Sequence, residues 1–98
     1  VDVVQPILET NFRAMIGAHS QSTPSSNQKV IEIAKITVHP NWDSSQIIND
    51  VAVVELAESI DLENSNLNAV CLGRPTDEFE GKNAVISGWG LTEAGKLL

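Results

Sequence analysis

The sequence predicts an all-β protein. Ala34, Ile36 and Val38 alternate with Lys35, Thr37 and His39, which is the two-residue period of a strand with one buried face. Residues 51–56 are apolar except for Glu55, as expected of a strand covered on both faces. No sustained helical period appears anywhere along the chain.

The elements follow in order. Phe12 to Ile16 is a short apolar run that ends at Gly17, and it is expected to be a core strand. A helical turn near Glu9 is opposed by the β-forming residues on both sides. Residues 20–28 are rich in Ser, Thr, Pro and Asn and lack large apolar side chains, so they form a surface loop. Residues 30–33 break the alternation seen from Ala34 onward, which predicts a bend or bulge inside one longer strand. Residues 41–49 form a second loop. Residues 51–56 are expected to be a central strand. Residues 57–69 are polar with scattered Leu and Ile and read as an extended connector. Residues 73–81 hold Pro75 with Asp77, Glu78 and Glu80, a solvated acidic face and not a metal site. Residues 84–87 are predicted to be a further strand, closed by Gly88 and Gly90.

Composition bounds the function. A chain of 98 residues has room for one small core. Apolar residues make up 42% and charged residues 19%, a balance that disfavours disorder. The net charge of -7 argues against nucleic acid and anionic membrane surfaces as partners. No apolar run is long enough to span a membrane as a helix. No Asn-x-Ser/Thr acceptor for N-glycosylation occurs.

Two residues carry chemical interest before any comparison. Asp50 stands at the mouth of the apolar run 51–56, where a lone carboxylate is costly to bury unless donors surround it. It therefore has a dedicated partner or sits at the rim of the fold. Cys71 is the single cysteine. It is either a small buried apolar residue or half of a disulfide whose partner lies outside the chain.

The motifs add a family. Val38-His39-Pro40-Asn41-Trp42 precedes Asn49-Asp50-Val51-Ala52-Val53-Val54-Glu55-Leu56. Val70-Cys71-Leu72 and then Ile86-Ser87-Gly88-Trp89-Gly90 follow. In this order and spacing the set resembles the middle of a trypsin/chymotrypsin-like serine protease, over about residues 12–91. The resemblance implies part of a two-barrel antiparallel β fold. Residues 1–56 would be a partial first barrel, 57–82 the inter-barrel connector and 83–98 the start of the second barrel. Residues 1–10 match the pattern least and look like an enlarged loop directly after the catalytic His-Cys, so the chain is expected to be a fragment of a longer protein.

By the same resemblance Asp50 is the acid of a Ser-His-Asp triad. Ile47 borders the pockets for substrate residues upstream of the cleaved bond, although it reads equally well as a loop residue packed on Trp42. The family's Ala-Ala-His-Cys and Gly-Asp-Ser-Gly-Gly motifs are absent. His19 matches the family's strand-end histidine and His39 its His-Pro turn, so neither is the general base. Cys71 would pair with a segment ahead of the mature enzyme's N-terminus. Ala84 replaces a second family cysteine. The implied function is secreted, extracellular peptide-bond hydrolysis with no cofactor and no metal. Its partners are a peptide or protein substrate, the remaining protease segments and proteinase inhibitors. The alternatives are a non-catalytic homologue that acts as a binding module, and a free-standing β domain unrelated to proteases.

Overall fold

A computed structural model of the chain describes residues 7–63 and 66–92. The chain divides into two compact units, Val1–Asn68 and Ala69–Leu98. Among the described residues the first unit holds a short 3-10 helix, Glu9–Asn11, and three strands: β1 Arg13–Ile16, β2 Lys29–Val38 and β3 Ala52–Leu56. The strands form an antiparallel sheet in the order β1-β2-β3, as the alternation predicts.

The long strand β2 is the centre of this sheet. Its first half pairs with β1, Ala14 opposite Ile31 and Arg13 opposite Glu32. Its second half pairs with β3, Ile36 opposite Val54 and Val38 opposite Ala52. The register slips between Ile33 and Lys35, which is the irregularity expected from the broken alternation. The less exposed positions are Ile31 and Ile33 before the slip, and Ile36 and Val38 after it. The odd positions turn inward in one half and the even positions in the other. Two opposite-charge pairs, Arg13 with Glu32 and Lys35 with Glu55, sit in register on the exposed face.

The ends of the ladders are closed locally. The 3-10 turn donates Asn11 N to Leu8 O at 3.0 Å and Phe12 N to Glu9 O at 3.1 Å, and β1 begins directly after it. The Glu9 carboxylate accepts from Ile36 N at 3.4 Å, beside the stretch of β2 that β1 does not reach. Gly17, with φ of 72°, lets the chain leave β1; a methyl group there would lie 2.7 Å from the Asn27 carbonyl oxygen. The turn into β2 is held by Gln28 N to Ser25 O at 3.1 Å and by Ser25 N to the Gln28 side-chain oxygen at 3.2 Å. After β3, Ala57 N donates to Glu32 O at 2.9 Å, and Lys29 pairs with Glu58.

Two strand expectations are corrected. Residues 51–56 were expected to be central, but β3 pairs only with β2 among the described residues and is an edge strand. Nothing described covers its second edge or its outer face, so Val53 remains 69% exposed. In the second unit, residues 84–87 form no strand, and Val85 is 94% exposed. An apolar segment makes a ladder only against a neighbour, and the described residues offer it none. The second unit is organised by turns. Asp77 accepts from Arg74 N at 2.8 Å and from the Arg74 guanidinium at 3.0 Å, and Asp77 N returns a bond to Arg74 O. These bonds hold the Asp77 carboxyl below its ordinary pKa, the backbone donor contributing most. The expected loop over residues 1–10 lies mostly outside the described residues.

The core is slight. Ile31, 2% exposed, is the one fully buried side chain among the described residues.

Candidate functional site

The site grows from the β2–β3 junction. His39 N donates to Val51 O at 3.0 Å and extends the ladder one step past the Val38–Ala52 pair. Pro40 then fixes the turn that closes with Trp42 N to His39 O at 3.0 Å. Asn49 and Val51 are joined by a bond from Val51 N to Asn49 O at 2.9 Å, so Asp50 is the central residue of a γ-turn. Asp50 does not have a positive φ, which makes the turn the relaxed inverse form. Asn49 has φ of 56°, a conformation that Asn tolerates, and its side-chain amide donates to Asn41 O at 2.9 Å. The backbone on both sides of Asp50 is therefore fixed.

Asp50 lines an open hollow of about 320 Å³ together with Ile7, Val38, Trp42, Val51 and Ala52. All its companions there are apolar or aromatic. Of the two alternatives for this carboxylate, the fold selects the rim: Asp50 is exposed. Among the described residues no hydrogen bond or ion pair reaches it. A carboxylate held this way can accept one directed hydrogen bond from a group seated in the hollow, and can stabilise positive charge developing on that group.

Neither histidine meets that need. His39 Nδ1 accepts from Asn41 N at 3.0 Å within its own turn, and no hydrogen bond joins His39 to Asp50 among the described residues. His19 is exposed and lines a separate hollow of about 390 Å³ with Gly17, Ser25 and Asn66, near the start of the ten-residue β2 and away from the end that joins Asp50. Ile47 is exposed on the loop between Trp42 and Asp50 and does not line the hollow. Cys71 is an exposed thiol in the second unit. Among the described residues no group of three or more His, Cys, Asp and Glu is arranged to hold a metal ion, and no helix is long and apolar enough to cross a membrane.

Sequence reasoning missed Ile7 and Asp43. Ile7 reaches the Asp50 hollow from outside the recognisable motifs. The Asp43 carboxylate accepts from Ser45 N at 2.9 Å, Ser45 Oγ at 2.7 Å and Gln46 N at 3.1 Å. The Asp-x-Ser spacing was the available signal for this Asx turn.

The antiparallel sheet, with almost no helix among the described residues, agrees with the comparisons. The model of the Trypsin family matches residues 3–98, and the chain belongs to that family of serine proteases. It is 38% identical over 84 residues to the inactive CLIP domain-containing serine protease A28 of Anopheles gambiae, covering 84% of this chain and 22% of that protein. It is 31% identical over 86 residues to chymotrypsin-like elastase family member 1 of Rattus norvegicus, covering 86% of this chain and 32% of that protein. It is 33% identical to mannan-binding lectin serine protease 1 of Homo sapiens, covering 91% of this chain and 12% of that protein. The chain thus spans a third or less of the length of each of these relatives.

Proposed function

We propose that the chain is the middle segment of a secreted serine endopeptidase and contributes the acid of the Ser-His-Asp triad, Asp50. One observation carries the reading: a carboxylate with no partner among the described residues, its backbone fixed on both sides, stands at the rim of an apolar hollow. A triad acid has to accept from an imidazole N–H, fix its tautomer and stabilise the imidazolium as the serine proton moves. In this reading residues 1–56 belong to a first barrel, 57–82 to the connector and 83–98 to a second. Ile47 faces substrate residues upstream of the scissile bond, and Cys71 pairs with a segment outside the chain. Peptide substrates and proteinase inhibitors would meet the same cleft.

A second reading is a non-catalytic homologue that binds without cleaving. It is favoured by the Anopheles relative, whose name calls it inactive. The deciding experiment uses the full-length protein that carries this segment. Covalent labelling by a serine-directed fluorophosphonate, together with hydrolysis of a peptide ester, is the expected result. A folded full-length protein that neither labels nor turns over would establish the binding reading instead.

A further inference from the structure

Residues 20–28 read Ser-Gln-Ser-Thr-Pro-Ser-Ser-Asn-Gln and carry no charged side chain. The loop lies between β1 and β2 and enters β2 at Lys29, whereas Asp50 lies past Val38 at the other end. The ten residues of β2 set those ends about 30 Å apart. None of the loop's side chains lines the Asp50 hollow.

The hydroxyls of this loop are not equivalent. Ser20 Oγ accepts from Ser22 N at 3.3 Å and from Thr23 N at 3.2 Å, and it lies 3.4 Å from Ser22 Oγ. Ser25 is half-buried in the turn into β2, where its backbone exchanges hydrogen bonds with Gln28. Ser26 lines the His19 hollow. Thr23 stands between these two braces. It is exposed, and its hydroxyl makes no hydrogen bond among the described residues. Pro24 follows it, and a proline biases the residue before it to extended backbone. Thr76 also adjoins a proline, but Arg74 and Asp77 hydrogen-bond across it and place a charge on either side.

We propose that Thr23 is an O-glycosylation site whose first sugar is an N-acetylgalactosamine. The chain has no Asn-x-Ser/Thr acceptor, and Ser/Thr-rich segments that contain proline are the kind that carry O-linked sugar in secreted proteins. The hydroxyl oxygen of Thr23 attacks the anomeric carbon of a nucleotide-activated N-acetylgalactosamine. A carbon–oxygen bond forms to Thr23 Oγ1, and the bond from that carbon to the diphosphate oxygen breaks. The nucleoside diphosphate leaves with the electron pair and takes up the hydroxyl proton. The brace at the Thr23 amide holds the acceptor in place while its hydroxyl stays free. Sugar here stands clear of the Asp50 hollow and shields an exposed polar loop from proteolytic nicking. The inference rests on the secreted part of the reading above.

The test recovers the full-length protein from the medium of secreting animal cells and maps the loop by electron-transfer fragmentation. N-acetylhexosamine on Thr23, with none on Thr76, is the expected result. Thr23→Ala should lose it and Thr23→Ser should keep it. An unmodified loop, hexosamine confined to the loop's other hydroxyls, or a phosphate on Thr23 in place of sugar would overturn the proposal. A full-length protein that never reaches the medium fails the secretion reading separately. Purified, unglycosylated full-length protein is then incubated with a peptide N-acetylgalactosaminyltransferase and its nucleotide sugar. Transfer to Thr23 of the folded protein supports the site, and transfer only elsewhere, or none, refutes it.

Discussion

The amide of His39 donates to the carbonyl of Val51 at 3.0 Å. That bond lies one residue from Asp50 on one strand and one residue from the Pro40 turn on the other. It ties the carboxylate's backbone to the end of the central strand β2, so the sheet fixes Asp50 from the Val51 side as the Asn49–Asn41 bond fixes it from the loop side.

In the full-length protein, Asp50→Asn is expected to leave folding intact, because no described partner is lost with the charge. Turnover near neutral pH should fall by roughly ten-thousand-fold, the scale of this same change in the triad that serves as the general template for these proteases. A fall of less than about tenfold removes Asp50 from the triad.

The 98-residue chain alone is expected to hydrolyse no peptide or ester, since the family's histidine and serine motifs do not occur in it. It is also expected to lack a cooperative fold. Among the described residues one fully buried side chain offsets little of a chain entropy of about 1–2 kcal/mol per ordered residue, and the edge of β3 that no described strand pairs invites association. Calorimetry and sedimentation check this; a monomer with a sharp thermal transition would contradict it.

Gly17→Ala should destabilise the full-length protein by about 2–3 kcal/mol. An alanine at positive φ is strained, and its methyl group would meet a backbone oxygen at 2.7 Å. The denaturant midpoint reads this directly. A shift worth less than about 0.5 kcal/mol would mean that the Gly17 turn differs from the one described.

The order of the 41–49 loop should depend on pH in a defined direction. The folded pKa of Asp43 is lowered by its bonds to Ser45 and Gln46. Its contribution is therefore fully present above the ordinary carboxylate value of about 3.9 and is lost only as the pH falls through the lower folded value. The amide resonances of Ser45 and Gln46 in the full-length protein should move together with one midpoint below that ordinary value. A midpoint above it would refute the capping role.

Cys71 is expected to be blocked in the oxidised full-length protein by a disulfide with a segment outside these residues. A peptide map in which Cys71 carries a free thiol would refute the pairing and leave the family assignment untouched.

Much of the first unit was legible in the sequence because alternation is a local property. β1 and β2, the slip inside β2 and the loops at 20–28 and 41–49 all follow from neighbouring residues. The central placement expected of residues 51–56 failed because apolar content on two faces reports what could be covered, while strand order depends on which neighbours are at hand. Residues 84–87 failed for the same reason: Val85 and Ile86 have β propensity and no described ladder. Asp50 was legible through its motif, but its exposure was not, since a charge before an apolar run fits a paired interior site as well as a rim. The grip of Asp43 on Ser45 and Gln46 was written in a short spacing but only geometry shows what it restrains.

The slip between Ile33 and Lys35 makes β2 a strand in two reading frames. Ile31 pairs with β1 and Ile33 with Leu56 of β3 on one side of the slip, and Ile36 and Val38 pair with β3 on the other, where Val38 lines the Asp50 hollow. Ala34 is the extra residue of the slip: without it Ile31, Ile33, Ile36 and Val38 would fall at alternate positions of one regular strand, still on the same face. The slip therefore lets β2 carry one more residue than its partner while every side chain that faces inward, Val38 at the Asp50 hollow included, keeps its side.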